Sequence, residues 1–346
     1  MNQIIARSAR INLEYCMHVG ADDHVLIVHD DTATPATVDA FAAAAGGLGA
    51  EVTVLRYLPR TFVSMREFGR FAEASVWADD RHAPPTLIAA LGAADVGVIL
   101  NADLRLLFDP RFLATLSGTR IGWIPYLDAD NIQRLLPSSA DEVDELHRSS
   151  TVVGEAMAGT AEVTVGDANG TDLRMRVGAH RINWSTGVHM PGRGIGGVEI
   201  WPGGQISTAP DVGSASGRLV IDRSVNAPEY RELLDPIGLT VVDGRVTEID
   251  GGIEAERMKR YLASLDHPDA YHLTELGIGT NARCIAAGYA GPCEDTHTVG
   301  ALSMALGADV HLGGVTRAPC HVDMTVRAAT VAFDGKTVVD QGRLAV

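Results

Sequence analysis

His24-Val-Leu-Ile-Val-His29, then Asp30-Asp-Thr-Ala-Thr34, the Ala-rich run Pro35 to Ala45 and Glu51-Val-Thr-Val-Leu-Arg-Tyr57 decide how the first half of the chain folds. The first run is apolar and β-branched and reads as a strand. The run that opens on a proline reads as a helix, and the third segment reads as a second strand. Working outward, the order recurs as a helix over Pro85–Ala93, a strand at Val96-Gly-Val-Ile-Leu100, a short helix near Pro110–Leu116 and a strand at Arg120-Ile-Gly-Trp-Ile124. Upstream, Ile4, Ile5, Ile11, Leu13 and Tyr15 punctuate polar residues between 3 and 18 and predict an opening helix. Alternation of this kind implies a parallel sheet covered by helices, so residues 1–155 are expected to form a doubly wound α/β domain. No G-x-G-x-x-G follows the first strand, which removes support for a dinucleotide. Asp30-Asp31 lies where such sheets bind ligands, and we read it as a helix N-cap region.

Beyond residue 155 the texture changes. Glu162-Val-Thr-Val-Gly166, Asp172-Leu-Arg-Met-Arg-Val177, Arg218-Leu-Val-Ile-Asp222 and Leu239 to Ile249 are short strands set off by Gly, Asp and Asn, the last with Asp243-Gly244 at a hairpin tip. Helices are expected at Ile253–Leu265 and Cys293–Leu306. Residues 156–346 are therefore expected to form a mostly-β (α+β) C-terminal metal-binding domain. Glycine is dense between His189 and Gly204, which suggests tight turns or backbone held close to a ligand.

Of the 346 residues, 46% are hydrophobic and 21% charged, enough for a sizeable core, and the length favours two domains. A formal net charge of -16 argues against nucleic acid or an anionic membrane surface as partner. Cys16, Cys284, Cys293 and Cys320 form no C-x-x-C pair, as expected of reduced thiols in an intracellular protein. With no signal-peptide pattern and no apolar run of about 18 residues, a cytoplasmic location is expected.

The chemistry is sought in two segments. Pro319-Cys-His321-Val-Asp323 leads into an apolar, β-branched stretch, and on a strand His321 and Asp323 face the same side. Alone, such a pair reads equally as a mutual hydrogen bond at a strand start. Tyr271-His-Leu-Thr-Glu275-Leu-Gly277 reads as another strand, with Glu275 and Gly277 on one face and His272 on the other. Together Glu275, His321 and Asp323 suggest three ligands of a divalent metal. Glu294 and His297, three apart on a predicted helix, could form a carboxylate–imidazole pair or a solvated first turn. Glu199 is two residues from Trp201, so on an extended chain a carboxylate and a ring share a face. Trp184, Trp201 and Tyr289 are candidates for stacking on substrate or for core packing.

Trp201-Pro-Gly-Gly-Gln-Ile-Ser-Thr-Ala-Pro210, Glu275-Leu-Gly-Ile-Gly-Thr-Asn281, Asp295-Thr-His-Thr-Val-Gly-Ala-Leu-Ser303 and His321-Val-Asp323 occur in the order of the motifs of the aminopeptidase T family of metallo-aminopeptidases, which this chain resembles. It is also similar to that family's offshoot of 2,5-dihydroxypyridine 5,6-dioxygenase and 5-nitroanthranilate aminohydrolase, notably at Gly251-Gly-Ile-Glu-Ala-Glu256 and Pro319 to Asp323. The departures are specific. Gln205 stands where the peptidases have a metal-bound glutamate, and Thr296 and Ser303 stand where they have a glutamate and a histidine. Against the dioxygenase's two-histidine, one-carboxylate iron site, Glu275 stands in place of the first histidine.

The resemblance, so reduced, implies one ion held by Glu275, His321 and Asp323, with Mn²⁺ or Fe²⁺ favoured by the oxygen-rich donors and Zn²⁺ a further option. We therefore expect a single-metal hydrolase of aminohydrolase or amidohydrolase type, acting on a small aromatic or heterocyclic molecule. Glu199, His189 and Glu294 are the candidates for moving protons. An Fe(II)-dependent ring-cleaving dioxygenase of a hydroxylated pyridine-like substrate is the alternative, and a two-metal aminopeptidase a second. The family implies a homodimer.

Overall fold

The computed structural model describes residues 3–58, 83–100, 112, 114, 118–125, 129–191, 193, 198–287 and 292–346. These fall into two compact units. The first contains the described residues before Ser149 together with Ser185–Gly203, and the second contains Ser149–Trp184 and Gly204–Val346. An α/β organisation followed by a largely β one is what the chain adopts.

In the first unit a five-stranded parallel sheet runs, edge to edge, Glu51–Arg56, His24–His29, Val96–Leu100, Arg120–Trp123 and Val198–Ile200. The inner strands His24–His29 and Val96–Leu100 are buried along almost their whole length, as their unbroken apolar sequence requires. The helix Pro35–Gly47 starts on a proline, and its N-cap is Thr34, whose hydroxyl accepts the Thr37 N–H. Asp30 and Asp31 are not the cap. Asp30 accepts from Thr32, and Asp31 pairs with Arg56 at 2.5 Å. The opening helix spans Gln3–Ile11 and passes into a π-helical turn at Asn12–Cys16. Most of the short helix expected near Pro110–Leu116 lies outside the described residues.

The second unit is built on two sheets with antiparallel pairing. One has eight strands and includes the hairpin Ile237–Val242/Arg245–Gly251, turned by Asp243 (φ 48°) and Gly244 (φ 76°). The other has seven, in the order Arg231–Glu232, Ser224–Val225, His321–Val326, Leu302–Gly307, Leu273–Gly279, Gln205–Thr208, Asn183–Ser185. One apolar cluster draws on both, with Val163, Leu173, Leu219 and Leu239 from the first sheet and Leu276, Met304 and Met324 from the second.

The helix expected over Cys293–Leu306 is half wrong. Helix occupies only Pro292–His297. Gly300, at φ 80°, turns the chain, and Leu302–Gly307 becomes a strand in the middle of the seven-stranded sheet. A short apolar run buried on both faces has no period that separates strand from helix, and here strand pairing on both sides decided. Among the described residues, no helix is long and apolar enough to cross a membrane.

Candidate metal centre

Register builds the site. In the seven-stranded sheet Ala305 pairs with Glu275 on one side and with Asp323 on the other, so all three point to the same face. Ser303 likewise lies between Gly277 and Thr325, and Gly307 pairs with His321. The alternate residues Leu276, Ile278, Leu302, Met304, Leu306, Val322, Met324 and Val326 turn the other way and join the apolar core. One face is thus core. The other carries small or polar residues, and Glu275 and Asp323 reach toward one another over a floor that Ala305 keeps low.

His321 Nε2 lies 3.1 Å from Glu275 Oε2 and 3.2 Å from Asp323 Oδ1. One ligand atom from each residue lies within 4.8 Å of the others, the sole such group of three or more among the described residues. Glu275 and His321 are buried and Asp323 is partly exposed. His321 Nδ1 donates to the Ala308 carbonyl at 2.7 Å, which fixes the ring and leaves Nε2 as the atom that faces the carboxylates. Beside it, His311 meets the His321 ring edge-on at 4.6 Å between centroids.

Each carboxylate is also held from behind. Gln205 Nε2 donates to Glu275 Oε1 at 3.1 Å and to Ser303 Oγ at 3.0 Å. Asn226 Nδ2 donates to Asp323 Oδ2 at 2.6 Å, while Asn226 Oδ1 accepts the Asp323 N–H at 2.9 Å. Burial raises the Glu275 carboxyl above its usual range, opposed by the hydrogen bond and charge of His321. Burial also disfavours the charged form of His321, yet Asp323 and Glu275 outweigh it and hold that imidazole well above its usual value.

The other candidates fall elsewhere. His272 precedes the strand Leu273–Gly279, lies 3.9 Å from Asp269 and is not in the ligand cluster. Glu199 and His189 belong to the first unit. Glu199 sits on the strand Val198–Ile200 and is fully buried. Burial pushes its pKa well up. His189 is half-buried, and burial, then Arg120 and His18, lower its pKa. Glu294, buried on the helix Pro292–His297, lies in the second unit and is not in the ligand cluster. Trp201 is core: its indole N–H donates to the Gly187 carbonyl at 3.0 Å and its ring stacks on Phe41 at 6.3 Å. Trp184 packs on the second core, and Tyr289 lies outside the described residues.

What sequence reasoning missed is the amide pair. Gln205 entered only as an absent ligand, and Asn226 did not enter at all. The signal for Gln205 was available, because Gln205-Ile-Ser207 alternates in step with Glu275-Leu-Gly277.

The architecture is one found in solved structures of other proteins. In fold, wild-type AmpT from Thermus thermophilus is similar, with a TM-score of 0.66, 15% identity and 99% of each chain covered. The chain belongs to the NicX, 2,5-dihydroxypyridine 5,6-dioxygenase, family, whose model matches residues 5–346. A curated relative, 2,5-dihydroxypyridine 5,6-dioxygenase from Pseudomonas putida strain KT2440, is 28% identical over 265 residues, 74% of this chain and 73% of the relative. A solved structure of 2,5-dihydroxypyridine dioxygenase from Pseudomonas putida KT2440 superposes with a TM-score of 0.81 at 23% identity, covering 100% of this chain and 98% of that one.

These findings overturn the expected hydrolase. Both the family and its curated member are dioxygenases, the alternative reading. The error has a physical source. A reduced ligand set limits how many ions a site can hold, but it does not determine whether the ion activates water or oxygen.

Proposed function

We propose that this chain is an iron(II)-dependent dioxygenase that opens the ring of a small hydroxylated pyridine-like substrate. The observation that carries the reading is the convergence of Glu275, His321 and Asp323 on one polar sheet face. Membership of a dioxygenase family supports it.

The donor set fits one divalent ion. Two carboxylates and a neutral imidazole supply two negative charges, and burying them without a cation carries a large desolvation cost. Two oxygens and one nitrogen suit Fe²⁺ or Mn²⁺, and we assign iron because the curated relative is a dioxygenase. Iron(II), when bound, supplies the one-electron chemistry that lets molecular oxygen react with an electron-rich ring. Relative to a two-histidine, one-carboxylate triad, Glu275 adds one negative charge to the site. The protein's part is to hold three donors in place and leave the remaining positions open to substrate. Of the groups considered for moving the substrate's hydroxyl proton, Glu294 shares the unit that carries the triad, and Glu199 and His189 are tested beside it. The homodimer implied by the family belongs to the same proposal, and sedimentation of the full chain checks it.

Oxygen uptake tests the reading. Protein reconstituted with Fe²⁺ and given 2,5-dihydroxypyridine is expected to consume one O₂ per ring lost and to do nothing under anaerobic conditions. Turnover without oxygen would sink the proposal. Metal analysis of Glu275→Ala and His321→Ala adds a separate check, since unchanged metal content in both removes the site's basis.

A further inference from the structure

Both carboxylates of the triad are divided in the same way. Glu275 gives Oε2 to His321 and Oε1 to the Gln205 amide, at 3.1 Å each. Asp323 gives Oδ1 to His321 at 3.2 Å and Oδ2 to the Asn226 amide at 2.6 Å. A carboxylate only accepts, so in each case the amide must present its N–H₂ group, and chemistry fixes the orientation of both side chains. We propose that Gln205 and Asn226 are paired positioning residues that hold Glu275 and Asp323 to one metal-facing oxygen each. This inference rests on reading Glu275, His321 and Asp323 as the ligands of one ion.

The surroundings are built for the grip. Asn226 is tied to the backbone of the strand it clamps by two further bonds: its own backbone N–H donates to the Asp323 carbonyl at 3.1 Å, and its side-chain Oδ1 accepts the Asp323 N–H at 2.9 Å. Gln205 meets Glu275 and Ser303 above Gly277. A Cβ there would stand 2.3 Å from Ser303 Oγ, 3.0 Å from Gln205 Nε2 and 3.2 Å from Glu275 Oε1, so the missing side chain is the space in which the three meet.

A neutral amide is the donor that achieves this at least electrostatic cost. A lysine or arginine in its place would neutralise the carboxylate the ion needs, and another carboxylate would become a further ligand. Coordination number gives the consequence. Two chelating carboxylates and an imidazole fill five positions of an octahedral ion, whereas two single-oxygen carboxylates and an imidazole leave three open.

The test uses the full chain, stripped of metal and reloaded with Mn²⁺ as probe. Gln205→Met and Asn226→Leu remove the N–H donors at similar size. Each is expected to bind one Mn²⁺ per chain, about 10- to 100-fold more weakly in competition with a chelator, and with an altered Mn²⁺ electron paramagnetic resonance spectrum. Parental affinity with a parental spectrum in either variant overturns the pairing. Glu275→Ala separates the two levels of argument. If it also keeps its ion, the ligand assignment fails; if it loses the ion while a clamp variant is unchanged, only the clamp fails. Gln205→Glu covers a misfolded Gln205→Met. By exchanging donor for acceptor at equal length it is expected to bind more than one Mn²⁺ per chain, and unchanged stoichiometry and spectrum would count against the clamp.

Discussion

Gly277→Ala perturbs the site without touching a ligand. The backbone at Gly277 is open to an L-residue, so the cost comes from the collision alone. The new methyl carbon lies 2.3 Å from Ser303 Oγ, and the hydroxyl must retreat by about 1 Å to reach ordinary non-bonded contact. Ser303 is buried and accepts from Gln205, so the move breaks a hydrogen bond where no solvent replaces it. That costs about 1–3 kcal/mol. Ser303→Ala alone loses the same acceptor without any collision and should cost about 1 kcal/mol. Once the hydroxyl is gone the severe collision is removed, and the remaining contacts with Gln205 Nε2 at 3.0 Å and Glu275 Oε1 at 3.2 Å need only small shifts, so the double variant should be little less stable than Ser303→Ala alone. The two substitutions then couple by nearly the whole Gly277→Ala cost, about 1–3 kcal/mol, well outside the range of independent sites. Urea unfolding of the metal-stripped chain, followed by far-ultraviolet circular dichroism, measures all four corners of the cycle. If the two single costs simply add to within about 0.5 kcal/mol, Gly277 is not the clearing in which Ser303, Gln205 and Glu275 meet.

Three further outcomes follow from the same geometry. Ala305→Leu raises the floor between Glu275 and Asp323, and the separated carboxylates should bind Mn²⁺ at least about tenfold more weakly by chelator competition. Glu199 has a folded pKa raised by burial, so its neutral form is favoured in the native state and stability falls as pH rises from the unfolded pKa toward the folded one. Against Glu199→Gln, which has no such slope, the wild type should lose up to about 1.4 kcal/mol per pH unit across that window in paired unfolding titrations. Cys16 and Cys320 are buried, and burial pushes the Cys320 thiol up to about 12, so both should resist iodoacetamide at pH 8 until the chain unfolds, as peptide mapping would report.

Much of the fold was legible because its signals are local. Val25 to Val28 and Val96 to Leu100 are unbroken apolar runs, and only a strand buried on both faces uses such a run in a βα repeat. Asp243-Gly244 marked its hairpin because two successive residues had to adopt positive φ. The triad was legible in part for the same reason, since His321 and Asp323 share a face on any strand. What stayed hidden depended on pairing between distant segments. Leu302-Ser-Met-Ala-Leu-Gly307 alternates apolar with small residues, yet that pattern only becomes the floor of a site once Ala305 is set between Glu275 and Asp323. Asn226 had no signal of its own. Its role follows from a two-residue strand docking beside Thr325 and Met324, which no local rule anticipates.

The step from site to reaction fails for a different reason. The likeness to AmpT is one of fold, and a shared fold leaves the chemistry to the side chains grafted on it. On this sheet those side chains occupy alternate positions of four strands, and the opposite face is packed by a separate set of residues, Leu276, Met304 and Met324 among them. Exchanges on the polar face can therefore change the number and charge of the donors while the scaffold stays intact. The number of donors then sets how many ions are held, and their geometry sets how many positions stay open. Neither says which molecule fills those positions. A water there leads to hydrolysis, and oxygen beside an electron-rich ring leads to dioxygenation. Gln205 and Asn226 each engage one carboxylate oxygen on this face, an arrangement that serves either reaction, so the choice of dioxygenation over hydrolysis comes from the family and not from the donors.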